Sequence, residues 1–270
     1  MKHSADQPGQ VLVTGGALRL GAEIVRTFAE AGWHVWCHFA RSEAPATELA
    51  RTLRAEGCRV DTVKADLSHA DQIEAMVAHI ETTGGPLRAI VNNASTFEPD
   101  TGIDFDPVLA REQLDVNLIA PLLLGRELAR HRAQRPLPDA CVIHVLDQKV
   151  HNLNPDYFSY TLSKLALERA VALQAQALAP AVRVCGVSPG LIYVSGPQLP
   201  ENFERARRVN LLRKPTGAKD VASTCLFLAA TGSITGTTVN VDCGQHLVPL
   251  ERDVMFVVET LSQEKPLESL

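Results

Sequence analysis

Short apolar runs alternate with longer amphipathic stretches along most of the chain. QVLVTGG (10–16) reads as a strand entering a glycine turn, and RLGAEIVRTFAEAG (19–32) as a helix closed by Gly32. HVWCHFA (34–40) and RVDTVKADLS (59–68) read as strands, followed by helical patterns over 43–57 and 69–84. LRAIVNNAS (87–95) precedes a long helical region at 107–132, and ACVIHVLD (140–147) precedes another at 157–179. VRVCGVSPG (182–190) and TTVNVD (237–242) complete the strands. This alternation implies βαβ units and a parallel sheet covered on both faces. The predicted architecture is α/β: one doubly wound parallel-sheet domain over 10–247, with a flexible tail at 1–9 and a second tail at 248–270. An irregular stretch, 190–212, interrupts the last βαβ unit and is a candidate substrate-covering insertion. Ligands of open α/β sheets sit beyond the carboxyl ends of the strands, so the loops there are where chemistry is expected.

Composition narrows the class. With 270 residues, 46% hydrophobic and 21% charged, the chain can bury one deep core. A net charge of -5 argues against a nucleic-acid partner, whose footprint would be basic. No apolar run approaches the roughly 18 residues of a membrane span. The leading MKHSADQPGQ lacks the apolar core of a secretion signal. Cys37, Cys58, Cys141, Cys185, Cys225 and Cys243 are scattered without paired spacing, and several lie in apolar runs. Free buried thiols, no metal site and a cytoplasmic location are the expectation. The apolar centre VMFVV (254–258) of the last tail suggests docking on a neighbouring subunit.

The first loop, VTGGALRLGAEI, places Gly15, Gly16 and Gly21 between strand and helix. Glycines let the backbone turn tightly there, and its amides approach an anion at the helix N-terminus. Arg19 stands where a further glycine would permit the closest approach. Its guanidinium can neutralise a phosphate or reach a substrate carbonyl. About 20 residues beyond the glycines an NAD site would carry an acid for the ribose. HFARSE stands there instead, and His38, Arg41 and Ser42 offer donors suited to a 2′-phosphate. NADP(H) is therefore the expected cofactor, with Glu43 beginning the next helix.

Tyr160 and Lys164 are four residues apart and face the same way on a helix. A lysine cation stabilises a phenolate, which suits a tyrosine to proton transfer near neutrality. In chain order, TGxxxxxG, NNAS (92–95), Asn117 in LDVNLIAP, Tyr160 with Lys164, and SPG (188–190) resemble the short-chain dehydrogenases/reductases over residues 10–247. The resemblance implies a Rossmann fold, nicotinamide hydride transfer, and proton transfer at Tyr160. It also implies that Lys164 holds the nicotinamide ribose and that Asn117 supports a proton relay through water. It adds Leu20, Asp66, Leu67, Asn93, Ala94, Ser95, Pro189 and Gly190 to the cofactor site with Gly15, Arg19 and Gly21. A homotetramer packed through the two long helices is implied as well.

The departures are more specific. Most members of that family keep a serine thirteen residues before the tyrosine; here the position is Asp147. Arg19 replaces a family glycine, and Cys243 stands in VNVDCG where a glycine is usual. Asp147, Arg19, HFARS and the aromatic of NNASTF together resemble the pteridine reductase branch, which includes dihydromonapterin and dihydrofolate-type reductases. That branch implies Phe97 stacked on a pterin, with Arg19 and Ser95 touching pterin and cofactor. Tyr193, just past SPG, is a further candidate for the pocket lining. A carboxylate beside a phenol raises the phenol's pKa, which disfavours alcohol oxidation and suits a reductase with protonated Tyr160. The expected activity is NADPH-dependent reduction of a 7,8-dihydropterin such as dihydromonapterin, dihydrobiopterin or dihydrofolate. The competing readings are a carbonyl reductase of the same family, for example of 3-oxoacyl thioesters, and an NADP-binding regulatory protein.

Overall fold

The computed structural model describes residues 9–194 and 198–258. The strands are β1 (Gln10–Val13), β2 (His34–Phe39), β3 (Arg59–Lys64), β4 (Leu87–Asn92), β5 (Cys141–Val145), β6 (Arg183–Pro189) and β7 (Thr238–Val241). They form one sheet in the order β3-β2-β1-β4-β5-β6-β7, and every pairing is parallel. The helices are α1 (Arg19–Glu30), α2 (Glu43–Ala55), α3 (Ala70–Thr83), α4 (Pro107–Leu114), α5 (Ala120–Gln134), α6 (Phe158–Leu178), α7 (Pro200–Ala206) and α8 (Ala218–Ala230). The doubly wound fold predicted from the alternation is the one observed.

Strand side chains alternate between two cores. Val11 and Val13 of β1 and Val35 and Cys37 of β2 pack with Ile24, Val25 and Phe28 of α1 and with Val221 and Leu228 of α8. Leu12 and Trp36 point to the other face, among Ile73 and Val77 of α3 and Leu124 and Leu128 of α5. All six cysteines are free, and burial pushes the Cys37 and Cys225 thiols up to about 12, which leaves them inert.

Three departures from the sequence reading stand out. The long helix at 107–132 is two helices joined by a π turn, Asp115–Ile119, where the Ala120 N–H donates to Asp115 O. Pro121 follows immediately, in the first turn of α5. A proline lacks the N–H that a helix interior needs, and a first turn does not need it. Second, α8 goes unnamed in the pattern because Ser223 and Thr224 interrupt its stripe of Val221, Ala222, Cys225, Leu228 and Ala229. Third, Val254 and Val258 pack on Ala206 of α7 in the same chain, leaving Phe256 half-exposed. Part of the apolar centre of the last tail thus packs on its own chain, while Phe256 stays at the surface. Residues 1–8, 195–197 and 259–270, which include parts of both tails and of the predicted insertion, lie outside the described residues.

Candidate active site at the strand switch point

Between β1 and β4 the chain changes direction across the sheet, the place where open α/β sheets hold ligands. A cavity of about 570 Å³ lies there, lined by Gly15, Arg19, Leu20, Gly21, Asn93, Ala94, Ser95, Phe97, Asp147, Tyr160, Lys164, Pro189, Gly190 and Tyr193 among others. The fold therefore gathers residues from five strand-end loops and α6 into one place.

The glycine turn between β1 and α1 is tightly packed. Gly15 has φ +59, and a Cβ on Gly21 would stand 2.0 Å from Gly15 O. Asn93 Nδ2 donates to Thr14 O and Gly15 O at 3.0 and 3.1 Å, pinning the turn to the β4 loop. Gly21→Ala is expected to force the turn open and weaken NADPH binding by more than about tenfold, or ~1.4 kcal/mol. A fluorescence titration of NADPH checks this, and unchanged affinity would count against a phosphate role for the turn.

His38 departs from its expected role. Its ring is buried, with Nδ1 accepting from the Gly15 N–H at 3.1 Å and Nε2 on Ala65 O at 3.1 Å. Burial lowers its pKa to about 4, so the ring is neutral. It props the glycine turn and has no donor left for a 2′-phosphate. Arg41 and Ser42 lie exposed and half-buried at the start of α2, outside the cavity lining. Asp66 accepts from the Ser68 N–H and O–H, which hold its carboxyl below the usual range, and Leu67 is buried in the core.

The reacting group is compact. Tyr160 Oη donates to Asp147 Oδ2 at 2.9 Å. Asp147 Oδ1 accepts from the Lys149 N–H at 2.9 Å and so also caps the 3-10 turn Gln148–Val150. Burial is the chief cause raising the Asp147 pKa, opposed by the Lys149 N–H and by the Lys149 and Lys164 charges. Burial and then the Asp147 charge push Tyr160 well above its ordinary value. Lys164 Nζ donates to Val145 O at 2.9 Å, and burial lowers it to about 8. Tyr160 is thus held protonated, and the lysine cation does not overcome burial and the carboxylate.

Asn117 sits buried in the π turn, outside the cavity lining. Its amide accepts from Ser95 Oγ and the Thr96 N–H and donates to Thr96 O and Ser163 Oγ, at 2.8–3.0 Å. These four bonds use the whole capacity of the amide. The side chain positions the 95–96 loop and has nothing left for the expected water relay.

Phe97 stacks on Tyr157, with ring centroids 4.1 Å apart, and meets Tyr160 edge-on at 4.6 Å. Arg19, at φ +52, reaches across the cleft to Val194 O at 2.8 Å, with its guanidinium 5.0 Å from the Tyr193 ring centroid. A non-glycine residue in that conformation is held there at a cost, a feature that clusters at functional sites.

A family profile described as enoyl-(acyl carrier protein) reductase matches residues 16–246. Pteridine reductase 1 of Leishmania tarentolae is 32% identical over 87% of this chain and 96% of its own. Dihydromonapterin reductase of Citrobacter koseri is 29% identical, covering 90% and 98%. In three dimensions, FolM alternative dihydrofolate reductase 1 of Brucella canis, complexed with NADP, aligns with a TM-score of 0.84 and 36% identity over 90% of this chain and 95% of that one. The chain is a short-chain dehydrogenase/reductase.

The sequence reading of this short-chain dehydrogenase/reductase missed several cavity residues: Gln148, Lys149, Tyr157, Gln198, Gln245 and Asp253–Met255. Gln148 and Lys149 had a usable signal, since they follow Asp147 directly. Tyr157 had a weaker one, three residues before Tyr160. Residues 253–255 had none, because only the tertiary fold brings them back.

Proposed function

We propose that this short-chain dehydrogenase/reductase reduces a 7,8-dihydropterin to the tetrahydro form with NADPH. The observation that carries the reading is the Tyr160 hydroxyl bonded to Asp147 at 2.9 Å, with Phe97 edge-on beside it. A carbonyl oxygen calls for a hydroxyl donor, whereas a pterin ring offers a nitrogen that takes a proton as the adjacent carbon takes hydride. The relatives point the same way: their names speak of pteridine, dihydromonapterin and dihydrofolate. The profile's description speaks of an enoyl thioester instead. The residues favour the pterin side, because Asp147 replaces the serine that a carbonyl reductase of this family is expected to use.

The donor set fits NADP(H). Gly15 and Gly21 let the turn between β1 and α1 close tightly at the cavity edge, Arg41 and Ser42 stand just beyond β2 where an NAD site would carry an acid, and Lys164 is a buried cation in the cavity lining. When bound, the cofactor supplies the hydride. In the proposed roles, Gly15, Leu20, Gly21, Asn93, Ala94, Pro189 and Gly190 line its path, and Lys164 fixes its ribose. Tyr160 keeps a proton on Oη for the pterin nitrogen, and Asp147 orients that hydroxyl and shares its charge state. Phe97 supports the flat ring edge-to-face or stacked, which suits a planar heterocycle. Arg19 and Ser95 complete the polar rim, and Tyr193 braces Arg19.

Free thiols suit a cytoplasmic enzyme. Exposed Val108, Ile119, Leu162 and Leu173 on α4 to α6 suit a homotetramer built through those helices. The deciding assay is NADPH oxidation by the purified protein with 7,8-dihydrobiopterin and, separately, with a 3-oxoacyl thioester. Turnover of the dihydropterin is expected; turnover of the thioester alone would overturn the assignment.

A further inference from the structure

Past β7 the chain does not leave the site. Asp253, Val254 and Met255 line the cavity with Tyr160 and Phe97, although they lie beyond the residues 16–246 that the family profile matches. Ion pairs fasten this stretch. Lys149 Nζ, almost fully buried, donates to Asp253 Oδ2 at 2.9 Å and to Asn154 Oδ1 at 3.0 Å. Arg252 grips the Asp156 carboxylate through Nε and Nη2 at 2.6–2.9 Å, and the Asp253 N–H adds a bond of 2.7 Å to it. The Tyr157 hydroxyl reaches Met255 Sδ at 3.3 Å, and Asn202 Nδ2 donates to Met255 O at 3.0 Å.

Lys149 has a second attachment. Its backbone N–H bonds Asp147, so one residue touches both the reacting acid and the returning tail. Tyr157, the ring stacked on Phe97, lies 5.2 Å from Lys149 Nζ and is held at φ +55. That left-handed conformation is unfavourable for a non-glycine residue, so its surroundings must impose it. The amide oxygens of Gln148 and Gln198, beside the same wall, have no hydrogen-bond partner among the described residues.

We propose that Lys149 and Asp253 are a positioning pair: they hold residues 252–255 as the outer wall of the substrate subsite and set the charge beside Asp147 and Tyr160. The proposal rests on the pterin reading for the identity of the substrate, not for the existence of the pair. The charged and titratable groups facing Asp147 are Lys149 from the 3-10 turn and Tyr160 and Lys164 from α6. Tyr160 feels Asp253 from the tail as well as Asp147. Asp156 and Arg252 pair with each other at the outer edge.

Breaking a buried pair from either side leaves the opposite charge behind, whereas replacing both partners removes it. Asp253→Asn leaves the Lys149 cation unopposed, which keeps Asp147 ionised to lower pH. Lys149→Met leaves the Asp253 carboxylate unopposed, which disfavours ionisation of Asp147. With the full chain, NADPH and 7,8-dihydrobiopterin, the acid limb of kcat/KM is expected to move in opposite directions in the two variants, by about half to one pH unit each. At the optimum, kcat/KM falls about tenfold, mostly through KM, while NADPH affinity holds within a factor of about two. The double variant Lys149→Met/Asp253→Leu returns the limb to its wild-type position. Limited proteolysis read by mass spectrometry needs no substrate: cleavage within 248–258 should be faster in each single variant and restored in the double. Limbs that move together or not at all, or a tail equally protected in all variants, would overturn the pairing. A wild-type protein inert toward dihydrobiopterin would overturn the pterin reading alone, and the proteolysis would still decide the pair.

Discussion

Asp147→Ser is expected to lower kcat/KM for a dihydropterin by about 10²–10⁴-fold, the range spanned by positioned acid–base groups. The substitution separates two jobs that one side chain does. Through Oδ1, Asp147 caps the turn at Gln148–Val150; through Oδ2, it holds the Tyr160 hydroxyl. Serine is nearly as good a cap as aspartate, so the turn should persist. The carboxylate is lost, and with it both the orientation of the phenol and the charge that keeps its proton in place. NADPH affinity should stay within a factor of about two, since the cofactor lining lies elsewhere in the cleft. Steady-state NADPH oxidation and a binding titration measure the two quantities. Equal losses in both would make Asp147 a structural residue only.

The second large effect concerns acid. His38 and His144 are buried and held neutral, with pKa values lowered to about 4. For His144 the hydrogen-bond partners fix the tautomer: Asn92 Nδ2 donates to Nδ1 at 3.1 Å, and Nε2 donates to Gln174 Oε1 at 2.9 Å. In the unfolded chain both rings take up protons near pH 6.5, whereas in the folded chain they stay neutral until about pH 4. Protons therefore favour the unfolded state across that window. The loss begins below pH 6.5, is complete by about pH 4, and amounts to roughly 3 kcal/mol per ring. Asp147, whose pKa is raised by burial, offsets part of it. Two such rings together match the lower range of total domain stability, about 5 kcal/mol. Urea midpoints measured from pH 7.5 to 4.5 should hold level down to about pH 6.5 and then fall, and a profile flat throughout would mean that the rings are not neutral. His144→Gln should flatten the slope by about half while weakening the core at neutral pH.

Much of this was legible along the chain, because sheet strands and glycine turns are local. Gly15 and Gly21, the Tyr160–Lys164 spacing and the register of Asp147 all follow from short-range geometry, and the cavity contains each of them. What was not legible depends on where a side chain turns once folded. His38 looked like a phosphate donor from its place near the end of β2, yet strand alternation points it inward onto Gly15. Asp147 stands out from its register with Tyr160, but that its second carboxylate oxygen also caps a turn shows only in the fold. Asn117 resembled a relay residue, but four partners saturate it.

The π turn at Asp115–Ile119 has one more consequence. It inserts one residue beyond an α-helical turn, and each helical residue rotates its successors by about 100°. The turn is therefore a phase shifter. It lets Asn117 point toward Ser95 and Ser163 while Leu124, Leu128 and Arg132 further along keep their own buried side. Deleting a single residue there would straighten the helix and swing one of those two sets out of register, so the reading frame of the site and that of the core cannot be tuned independently.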